Sequence, residues 1–500
     1  MAFTAEEESV LKQVATAFHN AKRLQDLPEV SGGSNPFDLV TEVLDTDGES
    51  KQARLAAFLP YAEETCAYGV QLDTTISATT LPRIGNSDLH RSLPVQSLMR
   101  GCLLNDDGSV NKYLNPAEWL SAQRDGSEGQ VMVEIPMHYR HFKTNGNKRE
   151  VRISLYPLPG YHKVPKMYIS AYEATVNRTT NTLASVVNDT AEYRGGGNQS
   201  AWDNTYRSVL GRPATAISRT NFRNYARKRK AGSTEWNEYV YEAHKTLYWL
   251  FVIEYANLNC QSAYNPELTS EGYHQGGLGD GVTTWNGDWN TFNGYNPFVP
   301  CGHTDEYGNG TGVKDYSVTN EAGTVLKTFA VPRYRGIENP FGHIWKWTDG
   351  INIRISPNAP TGDGLSKVFV CNDPSKFSDT GYADYVHVGN EARTEGYVKA
   401  IIFGEWGDIM PTAIGGGATS WFCDYHYTNI PTAETLRGVL FGGAAASGAD
   451  SGFAYARSLS APSTSYANIG SRLCLKSHDL AIYCGKQFID LWADFKLIRR

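Results

Sequence analysis

Apolar residues recur along this chain in two periods, one helical and one close to strand spacing. The first lies at the N-terminus. Val10, Val14, Ala17, Ala21 and Leu24 follow one another at intervals of 4, 3, 4 and 3, with Leu11 and Phe18 widening the stripe. This is the spacing of a coiled-coil seam. Thr4 and Glu7 form a capping box at its start, Pro28 closes it, and Ser-Gly-Gly-Ser-Asn-Pro at 31–36 reads as a linker. An apolar stripe on a lone helix needs a partner, either the rest of the chain or sister chains. Residues 51–61 form a second, shorter amphipathic stretch. Further on, Ser218 is placed to cap a helix whose basic end suits the negative pole of its dipole. From 238 to 257, Val240, Ala243, Leu247, Leu250 and Glu254 keep helical spacing, broadened by Phe251 and Ile253.

Strand-like segments alternate with these. Gly-Gln-Val-Met-Val-Glu-Ile-Pro at 129–136 predicts a strand with one buried face, and Lys163 opens another strand-like run. Residues 258–330 form a long insertion dense in Gly, Asn and Trp. Its Gly-Gly-Leu-Gly-Asp-Gly is not a phosphate loop, because no Lys-Ser/Thr follows. No repeat of 20–50 residues is visible. The pattern predicts an α+β protein. A helical attachment segment occupies 1–30, a small α+β or β-rich attachment module occupies 31–155, and a larger domain at 156–500 carries the inserted loop 258–330.

The chain has 500 residues, enough for sizeable cores. Its net charge of −7 is made of interspersed signs, which argues against a nucleic-acid partner. The run Arg-Lys-Arg-Lys at 227–230 reads as a solvated helix end. No basic-then-apolar leader and no apolar run of membrane length is present, so neither secretion nor membrane insertion is expected. Eight cysteines are widely and irregularly spaced without a C-x-x-C, which predicts free buried thiols rather than zinc sites or a disulfide framework.

Candidate chemistry concentrates near the C-terminus. Trp421, Tyr425, Tyr427, Phe453, Tyr455, Arg457, Tyr466 and Asn468 stand among Gly, Ser and Ala. Tyrosine offers large contact area at small entropic cost, and short polar residues adapt their hydrogen bonds, so this mixture suits ligand-binding loops. Aromatic residues filling an irregular core is the competing account of part of the set. Nucleophile and metalloprotease motifs of the types G-x-S-x-G and H-E-x-x-H are absent. A carboxylate pair assembled by folding, as in a glycan hydrolase, stays open at this point.

The run Gly342-His343-Ile344-Trp345-Lys346-Trp347-Thr348 resembles the G-N-V-W-E-W-T motif of the formylglycine-generating-enzyme-like family. Residues 168–175, 214–226, 437–444 and 470–473 resemble, in order, further pieces of that family's pattern. The resemblance implies a C-type lectin-like domain with Gly342, Trp345, Trp347 and Arg472 as fold-core residues. It also marks two departures. The copper-binding cysteines of the family's oxidases have no counterpart after residues 442–444. Asn339 matches a residue of its calcium site, but Lys346 stands where that site needs a carboxylate, and an ammonium opposes a hard dication. No metal and no cofactor is therefore expected.

Residues 81–104 and 129–139, with 217–227, 253–261 and 271–283, are similar to virion appendage proteins of tailed phages of gut bacteria. This implies a non-enzymatic fibre or tail-fibre subunit of a virion, assembled in the host cytoplasm and homo-oligomeric, with a trimer favoured. Its N-terminal part would join other virion proteins, and the C-terminal loops would meet a host-surface receptor or glycan. The alternatives are a capsid-decorating or adaptor fibre making protein contacts alone, and a surface-glycan hydrolase.

Overall fold

Strand pairing dominates the computed structural model, which describes residues 40–44, 50–54 and 63–476. The seam of Val10, Val14, Ala17, Ala21 and Leu24 lies outside the described residues. Strands Val40–Leu44 and Ser50–Arg54 pair antiparallel, so the amphipathic stretch from 51 opens as a strand.

The α+β expectation is corrected. Among the described residues strands account for 34% and helices for 14%, and one sheet nearly closes into a barrel, so the fold is β-rich. The misreading has a physical cause. Strands covered on both faces lose the polar-apolar alternation that marks a half-exposed strand. Gln130–Ile135 shows this, being buried at every position where a single buried face was expected.

That strand belongs to a six-stranded sheet in the order Trp236–Glu238, Leu473–Lys476, Met167–Ser170, Gln130–Ile135, Arg100–Leu104, Val110–Tyr113. Residues on either side of position 155 thus share one sheet. It is a wall between two apolar cores. Val131, Val133, Ile135, Leu103, Ile169 and Cys474 face one core. Met132, Cys102, Leu104, Tyr168, Leu473 and Leu475 face the other. Side chains of neighbouring strand residues point to opposite faces, so one strand serves both cores.

Helix Tyr241–Tyr255 fills the first core and is buried along its whole length. Its charged residues are paired within the protein: Glu242 with Arg140, and Lys245 with Asp408 at 3.0 Å. Helix Arg219–Arg227 starts where Ser218 accepts the Asn221 N–H at 3.3 Å. The run at 227–230 is not simply the solvated helix end expected: the Arg229 side chain is 6% exposed and pairs with the distant Asp106, while Lys230 pairs with nearby Glu235. Among the described residues no helix is long and apolar enough to cross a membrane. Seven cysteines there are free and buried.

The strand Trp345–Ile355 lies between Ser366–Val370 and Thr435–Phe441, with Ile469–Gly470 pairing parallel to its start. Trp347 is fully buried, and its indole N–H donates to the Thr464 carbonyl at 3.2 Å. Gly342 has φ +90°, and a Cβ there would stand 2.6 Å from Thr283 Cγ2, so the bend needs glycine twice over. Arg472 is also fully buried and donates to the carbonyls of Ser170 at 3.1 Å and Asn339 at 2.8 Å.

Candidate functional site

Three short strands carry most of the C-terminal candidates. Tyr425–Tyr427 pairs antiparallel with the start of Gly396–Phe403, setting Tyr425 opposite Tyr397. On its other side it pairs parallel with Ala456–Arg457, setting Tyr427 beside Arg457. Alternation then does the sorting. Tyr425 and Tyr427 face outwards, while His426 between them is fully buried.

The result is an aromatic row. Tyr397 meets Tyr425 edge-on at 5.2 Å, Tyr425 meets Tyr455 at 6.0 Å, and Tyr455 meets Trp345 at 4.7 Å between ring centroids. The Arg457 guanidinium lies 5.8 Å from the ring centres of both Trp345 and Tyr427. Cation–π geometry of this kind holds a charge without neutralising it. Arg457 makes no ion pair among the described residues, and its Nε has no hydrogen-bond partner there. Tyr427 is 38% exposed and Tyr466 59%. Burial pulls the Arg457 pKa down, against a smaller opposing effect of Tyr455, Tyr427 and Tyr466.

The other candidates sit elsewhere. Phe453 is 0% exposed and packs on Phe251 and Phe341 in the first core. Tyr455, at 5%, supports the face from beneath. Trp421 is half-buried under the Lys399 ammonium, which lies 5.0 Å from its ring centre. Asn468 contributes its backbone, accepting the Trp345 N–H at 2.9 Å. Tyr397 was missed from sequence. Only the pairing of 396–397 with 425–426 brings it into the row, although the alternation of Gly-Tyr-Val-Lys at 396–399 was a usable signal.

Two buried acids fasten this face from below, and neither was singled out from sequence. Glu391 accepts hydrogen bonds from Ser458 Oγ at 2.9 Å and Thr428 Oγ1 at 3.3 Å, the residues that follow Arg457 and Tyr427. Asp424 accepts the Ala454 N–H at 2.7 Å, next to Tyr455. Burial pushes the Glu391 carboxyl up to about 8 and the Asp424 carboxyl up to about 8. Both therefore hold a proton over a wide range and tie neighbouring strands together without placing a net charge in the core.

A second constellation surrounds the tryptophan motif. His343 accepts the backbone N–H groups of Phe298 at 3.2 Å and Val299 at 3.3 Å on Nε2. Its proton is thereby placed on Nδ1, which donates to Glu173 at 2.6 Å. The Lys346 ammonium stands 2.9 Å from the other oxygen of Glu173 and donates to the Ile344 carbonyl at 3.0 Å. Burial lowers the Lys346 pKa to about 8, and chiefly the Lys346 charge, opposing burial, draws Glu173 down to about 2. These residues do not fit a calcium ion. Lys346 brings an ammonium where the resembled motif has a carboxylate, that ammonium is already paired with Glu173, and Arg472 donates to the Asn339 carbonyl at 2.8 Å. Among the described residues no group of three His, Cys, Asp or Glu is placed to hold a metal.

No family model matches the chain. No curated protein matches it either. Among solved structures, PvdO from Pseudomonas aeruginosa is similar over 71% of this chain and 100% of its own, at 11% identity and a TM-score of 0.28. The U1 variant of a major tropism determinant is similar over 91% of this chain and 98% of its own, at 13% identity and a TM-score of 0.23. The P3c variant gives 91%, 97%, 12% and 0.23 in the same order. Likeness of this degree carries no argument about the activity or partners of this chain.

Proposed function

We propose that this chain is a non-enzymatic bacteriophage virion appendage subunit, a fibre or tail-fibre component, that binds a host-surface receptor or glycan. The binding face is that of Tyr425, Tyr427, Arg457 and Tyr466. One observation carries the reading: Arg457 is held between the rings of Trp345 and Tyr427 with no acid to pair with among the described residues. A polar ligand placed there gains a charge-assisted hydrogen bond and aromatic contact together. The rigid rows beneath the face favour binding, because little is left to order when the ligand arrives.

The similarity of residues 81–104 and 129–139 to virion appendage proteins supports the particle assignment. Attachment through the N-terminal part and trimerisation along the 10–24 seam belong to the same proposal. Several copies on one particle would raise a weak single-site affinity to a useful avidity.

The test is adsorption of the purified protein to host cells. Tyr427→Ala and Arg457→Ala are expected to reduce binding about tenfold or more, the loss of one charge-assisted or aromatic anchor, with the melting temperature unchanged. Unchanged adsorption in both variants overturns the reading. Incubation with host capsule is expected to release no new reducing ends.

A further inference from the structure

Three of the four Asn-Gly pairs in this chain, at 286–287, 293–294 and 309–310, lie in the inserted segment 258–330, and the fourth is at 145–146. An Asn-Gly pair is reactive by itself. The glycine nitrogen attacks the asparagine side-chain carbon, and with no Cβ on the glycine neither bulk nor a restricted backbone stands in the way. The attack needs two things from the fold. The glycine N–H must be free, and the peptide that carries it must be able to rotate towards the side chain.

Two pairs are closed. The Gly294 N–H donates to the Asn290 carbonyl at 2.8 Å, and Asn293 is buried with its amide donating to the Asn296 carbonyl at 2.8 Å. The Gly310 N–H donates to the Tyr307 carbonyl at 2.7 Å, and Asn309 Oδ1 accepts the Gly101 N–H at 2.9 Å and the Trp119 indole N–H at 3.2 Å. A third pair is tied down. Asn145 ends a strand in register with Lys148, and the turn beyond it is held by Arg149 on the Gly146 carbonyl at 2.7 Å and by the Thr74 N–H on the Asn147 carbonyl at 2.9 Å.

The pair at 286–287 is open. Asn286 is exposed and lies outside helix and strand. Among the described residues neither its side chain nor the Gly287 N–H has a hydrogen-bond partner. Gly287, at φ +79° and ψ −60°, forms a γ-turn in which the Asp288 N–H donates to the Asn286 carbonyl at 3.0 Å. Turns of this hand are rare and strained, so that contact is weakly held. A Cβ built on Gly287 would meet no atom within 4 Å, which leaves the bend room to move. Its flanks are anchored. Trp285 and Trp289 are buried, and the Trp285 N–H donates to the Ala445 carbonyl at 2.7 Å.

We infer that Asn286 is a modification site, deamidated by water in the folded protein without the help of an enzyme. The Gly287 nitrogen bonds to the Asn286 side-chain carbon and gives up its proton, the amide nitrogen takes up a proton and leaves as ammonia, and a cyclic succinimide closes. Water then opens the ring at either carbonyl, leaving aspartate or isoaspartate. Either product sets a new negative charge close to Asp288. Isoaspartate also lengthens the backbone between the two anchored tryptophans by a carbon. The chain thereby carries a mark of its own age. The inference goes beyond receptor binding and does not rest on it.

The experiment is a time course of the full chain in mildly alkaline buffer, with peptide mapping by mass spectrometry to follow amide turning to acid at each of the four pairs. Asn286 is expected to convert first, ahead of Asn145. It is expected to outpace Asn293 and Asn309 by about tenfold or more, because each of those must first give up a hydrogen bond on its glycine and leave a packed site. In concentrated urea the four rates are expected to converge, since the protection belongs to the fold. Gly287→Ala is expected to slow conversion at 286 about tenfold, through bulk and lost backbone freedom, and to leave Asn293 and Asn309 protected, which general loosening of the protein would not do. Conversion at Asn286 no faster than at Asn293 and Asn309, conversion led by Asn145, or the same spread of rates with and without urea would each overturn the inference.

Discussion

The Lys346 ammonium lies 2.9 Å from a carboxylate oxygen of Glu173, and both side chains are shut away from solvent. The chain thus provides its own cation at the heart of the tryptophan motif. Removing that cation strands a buried carboxylate. Lys346→Met is expected to cost about 3–5 kcal/mol, and the double variant Glu173→Gln/Lys346→Met is expected to recover most of it. Urea denaturation of the two variants checks this. Equal stability of single and double variants would show that Lys346 acts through packing alone.

Asp424 and Glu391 make the fold sensitive to alkali. Their folded pKa values, about 8 each, stand above the ordinary 3.8 and 4.5. A raised folded pKa gives stability that is complete below the unfolded value and lost as pH climbs through the folded one. The buried histidines His90, His138, His244 and His426 have pKa values lowered to about 3–4 by burial, so they are neutral in both states above their ordinary 6.5 and do not offset the effect there. Melting temperature is therefore expected to fall from pH 6.5 to about pH 8, above which both carboxyls are ionised in the folded state and the lowered pKa of Lys346 acts the other way. The double variant Asp424→Asn/Glu391→Gln is expected to flatten that slope, and an identical slope would refute the assignment.

Gly452 is required by Asp424. A Cβ at 452 would stand 1.7 Å from Asp424 Oδ1, far inside contact distance. Gly452→Ala is expected to destabilise the protein by about 1–3 kcal/mol and to loosen the strand that carries Arg457. Hydrogen exchange at Ala454, whose N–H donates to Asp424, is expected to speed up.

Two aromatic residues of the C-terminal loops should separate cleanly by calorimetry. Phe453→Ala opens a hole in the first core and is expected to cost about 3–5 kcal/mol. Tyr427→Ala, at a partly open position, is expected to stay within about 0.5 kcal/mol of the parent. Comparable losses would mean that Tyr427 is structural.

Legibility in the sequence followed the range of the interactions. The cap at Ser218 and the buried helix Tyr241–Tyr255 depend on neighbours within a few residues, and local spacing showed them. Trp345 and Trp347 stood out through their motif. The β-rich class did not, because Gln130–Ile135 and its neighbours serve two cores and carry apolar residues on both faces. The pairing of Tyr397 with Tyr425 joins separate segments through strand register, which composition does not encode. Glu391 and Asp424 were silent for the same reason: an acid reads as surface until the fold is seen to close over it.

The wall between the two cores has a bearing on time. Leu473–Lys476 sits between Trp236–Glu238 and Met167–Ser170, and the Leu473 N–H donates to Ser170 Oγ across 303 residues of chain. During synthesis the strand at 167–170 waits, one edge unpaired, until residue 473 has left the ribosome. A chain released early keeps that edge open and both cores unsealed. Sealing of both cores therefore depends on a strand made 303 residues after the edge it covers.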